Sequence, residues 1–104
     1  HDVAWSDARK VGPDGKLPSV GATVNLTDAS YRNSIGAAEL SVTWIDPHFD
    51  AEEAAFYYVR VIQIPTPRWT SYDAAFYGLK DLPEEIPRVT QERAYSSPIW
   101  YTPQ

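Results

Sequence analysis

Apolar and polar positions alternate with a period of two in several stretches of this chain. Leu40, Val42 and Trp44 fall on one side of residues 39–45, and Ser41 and Thr43 fall on the other. That is the pattern of a strand with one face covered. Ala22, Val24 and Leu26 against Thr23 and Asn25 repeat it over 22–26. A first strand is expected over 2–11, with Val3 and Trp5 on one face. The run 56–64 is different, because apolar or aromatic side chains occupy both faces, broken only by Arg60 and Gln63. Such a strand is central in its sheet or covered by another body. A last strand is expected over 91–101, through Ala94, Ser96, Pro98 and Trp100.

Breakers divide these runs. Gly12-Pro13-Asp14-Gly15 is turn chemistry, since Pro presets φ and Gly accepts positive φ. Residues 27–33 are polar and read as a loop, Asp46-Pro47 stops the strand before it, and 50–55 favour one helical turn. Pro65 and Pro67 end the two-sided strand and open a long inter-strand insertion, 65–90. Within it a short helix is expected over 72–80, capped by Thr70 or Ser71, with Asp73 near its positive end. Ahead of the two-sided strand, Glu53-x-Ala55-x-Tyr57-x-Val59 resembles the tyrosine corner of Greek-key sandwiches, in which the hydroxyl bonds backbone a few residues upstream. The fold class is therefore all-β: an immunoglobulin/fibronectin-like β-sandwich with a short helix in the insertion before its last strand. About five strands are visible where a full sandwich has about seven. Either some short strands leave no clear pattern, or the sandwich is incomplete here and its remaining strands lie upstream. One domain spans 1–104.

Charge and composition narrow the partners. A net charge of −5 gives no general attraction for phosphate backbones, so nucleic acid is not expected. No apolar run reaches the ~20 residues of a membrane span. Cysteine is absent, so disulfides and thiolate metal sites are excluded. The chain has no Met, so His1 reads as a processing product or a cut inside a longer protein, the second being favoured.

Catalytic chemistry is hard to assemble from these residues. Two His and no Cys fall short of a catalytic zinc set, and Asp46-Pro47-His48-Phe49-Asp50 reads as a solvated turn. No Gly-x-Ser-x-Gly elbow occurs, and the pairs Glu52/Glu53 and Glu84/Glu85 are neighbours in sequence, which aims them at no common atom. No catalytic residue, metal ligand or cofactor is assigned to this chain. Aromatics remain, with four Trp and seven Tyr. Trp5, Trp44 and Trp100 lie on alternating strands and are expected in the core, beside Tyr57. Arg68 and Trp69 lie in the insertion and, with Tyr72 and Tyr77, are the candidate interface or ligand contacts.

The segments FYYVRVIQIPTPRWTSYDA and QERAYSSPIWYTP resemble the carboxyl-terminal end of the domain of unknown function 3604 family. DVAWSDARKVGPDGKLPSVGATVNL and YRNSIGAAELSVTWIDPHFD are similar to its terminal region as well, so the likeness covers nearly the whole chain. A shorter pattern, a YYVRV strand followed by a final A-x-SSPIW strand, is similar to the tails of many PHP-like proteins. The resemblance implies a parent with an upstream PHP-like hydrolase domain that holds divalent metals through His, Asp and Glu. None of those ligands maps onto this chain. It implies a bacterial protein, periplasmic or cytoplasmic, with the periplasm favoured. It further implies that this chain is a non-catalytic accessory sandwich packed on its own upstream catalytic domain. The two-sided strand 56–64 and the Arg68/Trp69 loop are the expected contact, because that strand lacks polar alternation. The alternative is a free-standing carbohydrate-binding module that uses Trp69, Tyr72 and Tyr77.

Overall fold

The two aromatic-rich runs find each other. The computed structural model describes residues 1–104, with six short strands and one helix in chain order. These are β1 (Ala55–Tyr57), β2 (Arg60–Ile62), β3 (Thr66–Pro67), α1 (Trp69–Tyr77), β4 (Val89–Thr90), β5 (Arg93–Tyr95) and β6 (Ile99–Tyr101). Pairing is antiparallel throughout: β1 with β6, β2 with β5, β3 with β4. The chain is mostly β, in small two-stranded sheets with one short helix, and forms no closed barrel.

The three sheets are steps of one ribbon. Across the gaps, the Ser96 N–H donates to the Val59 carbonyl at 2.9 Å and the Gln63 N–H to the Glu92 carbonyl at 3.0 Å. Prolines explain the steps. Between the first two pairs, residues 96–98 face only Tyr58 and Val59, so one strand carries an extra residue. Pro98 has no N–H to donate there, and the Val59 N–H turns to the Ser96 hydroxyl at 2.8 Å. Between the second and third pairs the extra residue lies on the other strand, at 63–65, where Pro65 again lacks a donor. The run 56–64 therefore forms two strands with one neighbour each. It is not central within this chain.

Three expected strands do not form. Residues 2–11 are interrupted by a turn, in which the Arg9 N–H donates to the Ser6 carbonyl at 3.0 Å. In 22–26 only Asn25 pairs, exchanging backbone bonds with Ser30 around a tight loop. Thr23 reaches Arg32 through its hydroxyl rather than its backbone. Residues 39–45, the cleanest alternation in the sequence, have no backbone partner. The turn at Gly12-Pro13-Asp14-Gly15 forms as expected, closed by the Gly15 N–H on the Gly12 carbonyl, with Gly15 at φ 74°.

Little of the chain is buried. Five of its 104 residues are, namely Ser6, Ala29, Pro67, Thr70 and Ser71, and three of these are polar. The radius of gyration is 18.9 Å, against about 13 Å for a compact domain of this length. The accessible surface is 8739 Å², about 2,800 Å² more than a compact monomer of this mass exposes. Trp44 and Trp100 are exposed, the latter at 71%, so they do not form a core within this chain. Trp5 is half-buried.

Candidate interaction surface

Helix α1 packs against β3 with its small side chains and turns its aromatic ones outward. It begins three residues earlier than expected, at Trp69, so Trp69 is helical rather than part of a loop. Arg68 is the N-cap, with extended φ/ψ, and no side chain caps the first turn. Thr70 and Ser71, the expected caps, lie inside the helix and are buried. Their hydroxyls donate to the carbonyls of Pro87 and Arg88, at 2.5 and 2.6 Å. Those carbonyls lie where the returning strand needs partners, and their demand outweighs local capping. Asp73 lies beyond the first turn. Gly78 ends the helix in the left-handed conformation at φ 65°, which costs glycine little.

At 3.6 residues per turn, Trp69, Tyr72 and Phe76 share an arc of about 60°, and Tyr77 flanks it. All four are exposed, Trp69 at 64% and Phe76 at 83%. The usual polarity of a surface helix is inverted, with hydroxyls inward and rings outward. The fold thus gathers Arg68, Trp69, Tyr72 and Tyr77 on one helix and its N-cap. Phe76, which spacing from Trp69 could have flagged, joins them and meets Tyr77 edge-on at 5.0 Å.

A second aromatic surface lies on the ribbon. Trp100 and Phe56 are cross-strand partners with ring centroids 5.2 Å apart. Phe56 stacks along the strand on Tyr58 at 6.3 Å, and Tyr58 meets Tyr95 at 6.3 Å. All four rings are exposed. The Phe56/Tyr58 spacing is visible in sequence; the addition of Trp100 and Tyr95 needs the register.

The tyrosine-corner expectation is corrected. The Tyr57 hydroxyl donates to the Asp46 carboxylate at 2.8 Å and not to a backbone carbonyl. The hydroxyl that does reach backbone is that of Tyr101, on the Ala51 carbonyl at 3.0 Å. Asp46 also accepts the His48 N–H at 2.9 Å. That backbone bond, helped by the Tyr57 hydroxyl, holds the Asp46 carboxyl below its ordinary range, and bonding to Asp46 pushes the Tyr57 phenol up. Trp44 meets Tyr57 edge-on at 6.3 Å, so Trp44, Asp46 and Tyr57 form one packed corner.

No three His, Asp or Glu side chains group to hold a metal ion. A shallow groove lined by Leu82, Glu84, Ile86, Pro87, Arg88 and Val89 has no aromatic wall. No helix is long and apolar enough to cross a membrane. The surface offers aromatic contact area in quantity and little convergent polar chemistry.

Neither a curated protein nor a solved structure matches the chain. The family described as "Protein of unknown function (DUF3604)" matches residues 1–103, and with that coverage the chain belongs to it.

Proposed function

We propose that this chain is a non-catalytic accessory region that packs along the body of a larger, PHP-like metal-dependent hydrolase. In that assembly its ribbon serves as one layer of an immunoglobulin-like sandwich. The metal and the catalytic residues belong to the upstream domain. One observation carries this reading: about 2,800 Å² of surface beyond a compact monomer's, with Phe56, Tyr58, Trp69 and Trp100 all exposed, on a chain with five buried residues. Permanent interfaces bury about 2,000–5,000 Å² in total, or about 1,000–2,500 Å² per partner, so the excess is enough to supply one partner's share. Isolated two-stranded ribbons are marginally stable in water, and a third element packed on the face supplies what they lack.

Hydrogen exchange of the isolated chain and of the native gene product tests this. Amides of 55–67 and 89–101 should exchange far more slowly in the native product. Equal rates in both would refute the packing. The exposed arc of Trp69, Tyr72 and Phe76 favours one second reading, a carbohydrate platform. Under the packing reading, oligosaccharide leaves tryptophan fluorescence of the native product unchanged. A saturable shift that Trp69→Ala abolishes would favour the platform instead.

A further inference from the structure

Residues 37–45 make no hydrogen bond to the rest of the chain, through either backbone or side chain, and all nine are exposed. Yet the segment is pinned at both ends. At one end, a Cβ on Gly36 would lie 2.8 Å from Ile64 Cγ2, and the Ile35 carbonyl accepts the Ser6 hydroxyl at 2.8 Å. At the other, Trp44 and Asp46 meet Tyr57. Position 36 is therefore held at 64 and positions 44–46 at 57, so the segment runs antiparallel to residues 57–64, eight to ten positions against seven.

The contact between them is made by side chains. Ring meets ring at Trp44/Tyr57, and hydroxyl meets carboxylate at Tyr57/Asp46. Side-chain contact is how two sheets about 10 Å apart touch, whereas strands within one sheet lie about 4.8 Å apart and share backbone bonds. No backbone bond joins 39–45 to the ribbon, so the segment is not a strand of the ribbon's own sheets. Its sequence has strand chemistry, with Val42, Thr43, Trp44 and Ile45 among the good strand formers. Its N–H and C=O groups are all free for a ladder.

We propose that residues 39–45 are a donated strand. They add by backbone pairing to the edge of a β-sheet in the body on which the chain packs, and so complete the second layer of the sandwich. The recognition chemistry is β-augmentation: main-chain bonds supply affinity, and alternate side chains at Leu40, Val42 and Trp44 set the register. This inference rests on the proposed packing.

The test is residue-resolved hydrogen exchange on the native gene product at two concentrations. Pairing along one edge protects alternate amides of 39–45 by at least about 100-fold, because successive N–H groups of a strand point to opposite edges. Pairing on both edges protects them all, and either pattern supports the donated strand. If the ribbon and α1 are protected while 39–45 exchange freely, the donated strand is overturned and the packing survives. If none of these regions is protected, the packing fails, and the donated strand with it. Protection of 39–45 that disappears on dilution, with a dimer lost on native mass spectrometry, would make the acceptor a second copy and overturn the assignment to the larger body.

Discussion

Truncating Trp100 to alanine separates a ring that stays in solvent from one that a partner covers. In this chain the ring is 71% exposed and rests on Phe56. Left exposed, it contributes little beyond a cross-strand aromatic pair, so Trp100→Ala should cost about 1 kcal/mol. If the ribbon face is covered in the native product, a further ~140–180 Å² of tryptophan surface leaves water. At about 25 cal/mol per Å² that adds about 4 kcal/mol, the size of a large core truncation. The assay is native-state hydrogen exchange of the β1 and β6 amides in the native gene product, wild type against Trp100→Ala. That method reads the local opening free energy without requiring the whole protein to unfold in one step. A loss of about 4–5 kcal/mol, largely restored by Trp100→Phe, is the expected outcome. A loss near 1 kcal/mol would show that the ring remains in solvent, and would refute the claim that this face is an interface.

Gly36→Ala should destabilise the packing of 36 on Ile64 by about 1–3 kcal/mol, because the new methyl lands 2.8 Å from that stiff, β-branched side chain. The double variant with Ile64→Leu, which lacks that methyl, should recover most of the loss in thermal denaturation. Ser71→Ala removes a hydroxyl that donates to the Arg88 carbonyl at 2.6 Å from a residue 1% exposed. It should cost about 0.5–1.5 kcal/mol, read as earlier loss of helical circular dichroism on heating. The Asp46 carboxyl is held low and the Tyr57 phenol high, so their bond is fully present between the ordinary Asp value, about 4, and the ordinary Tyr value, about 10. Its contribution fades as pH falls through the lowered Asp46 value or rises through the raised Tyr57 value. Trp44 fluorescence should report both limbs, and Tyr57→Phe should flatten the alkaline limb; an unchanged profile would count against the bond.

The elements legible in sequence were those specified by neighbours along the chain. The turn at residues 12–15 needed only Pro and Gly at fixed offsets, and it formed. The aromatic runs 56–64 and 91–101 announced themselves as strands by composition and length. A short helix in the insertion was visible, but its start was not. Thr70 and Ser71 are good caps by residue type, and only the carbonyls of Pro87 and Arg88, seventeen residues away, draw their hydroxyls inward. Tyr57 stood out in the sequence, but the corner pattern gave it a backbone partner, and the Asp46 carboxylate that it bonds was not legible.

Sequence by itself determined that the chain is β-rich and aromatic, with turns where Pro and Gly sit, and it carried a family likeness over nearly its whole length. Alternation in 39–45 fixed a strand-forming preference. It could not fix a neighbour, because pairing is a property of two segments and one of them has to be brought within reach. Only the tertiary structure decided that 55–67 pairs with 89–101 in three steps. It also decided that α1 faces its hydroxyls inward, and that 39–45 has no backbone bond to the ribbon. The same arrangement leaves Trp69, Phe76 and Trp100 in solvent. The physical reason is geometric: hydrophobicity says that these rings seek cover, and the fold of 104 residues into a 63 Å length leaves them too little of their own chain to find it.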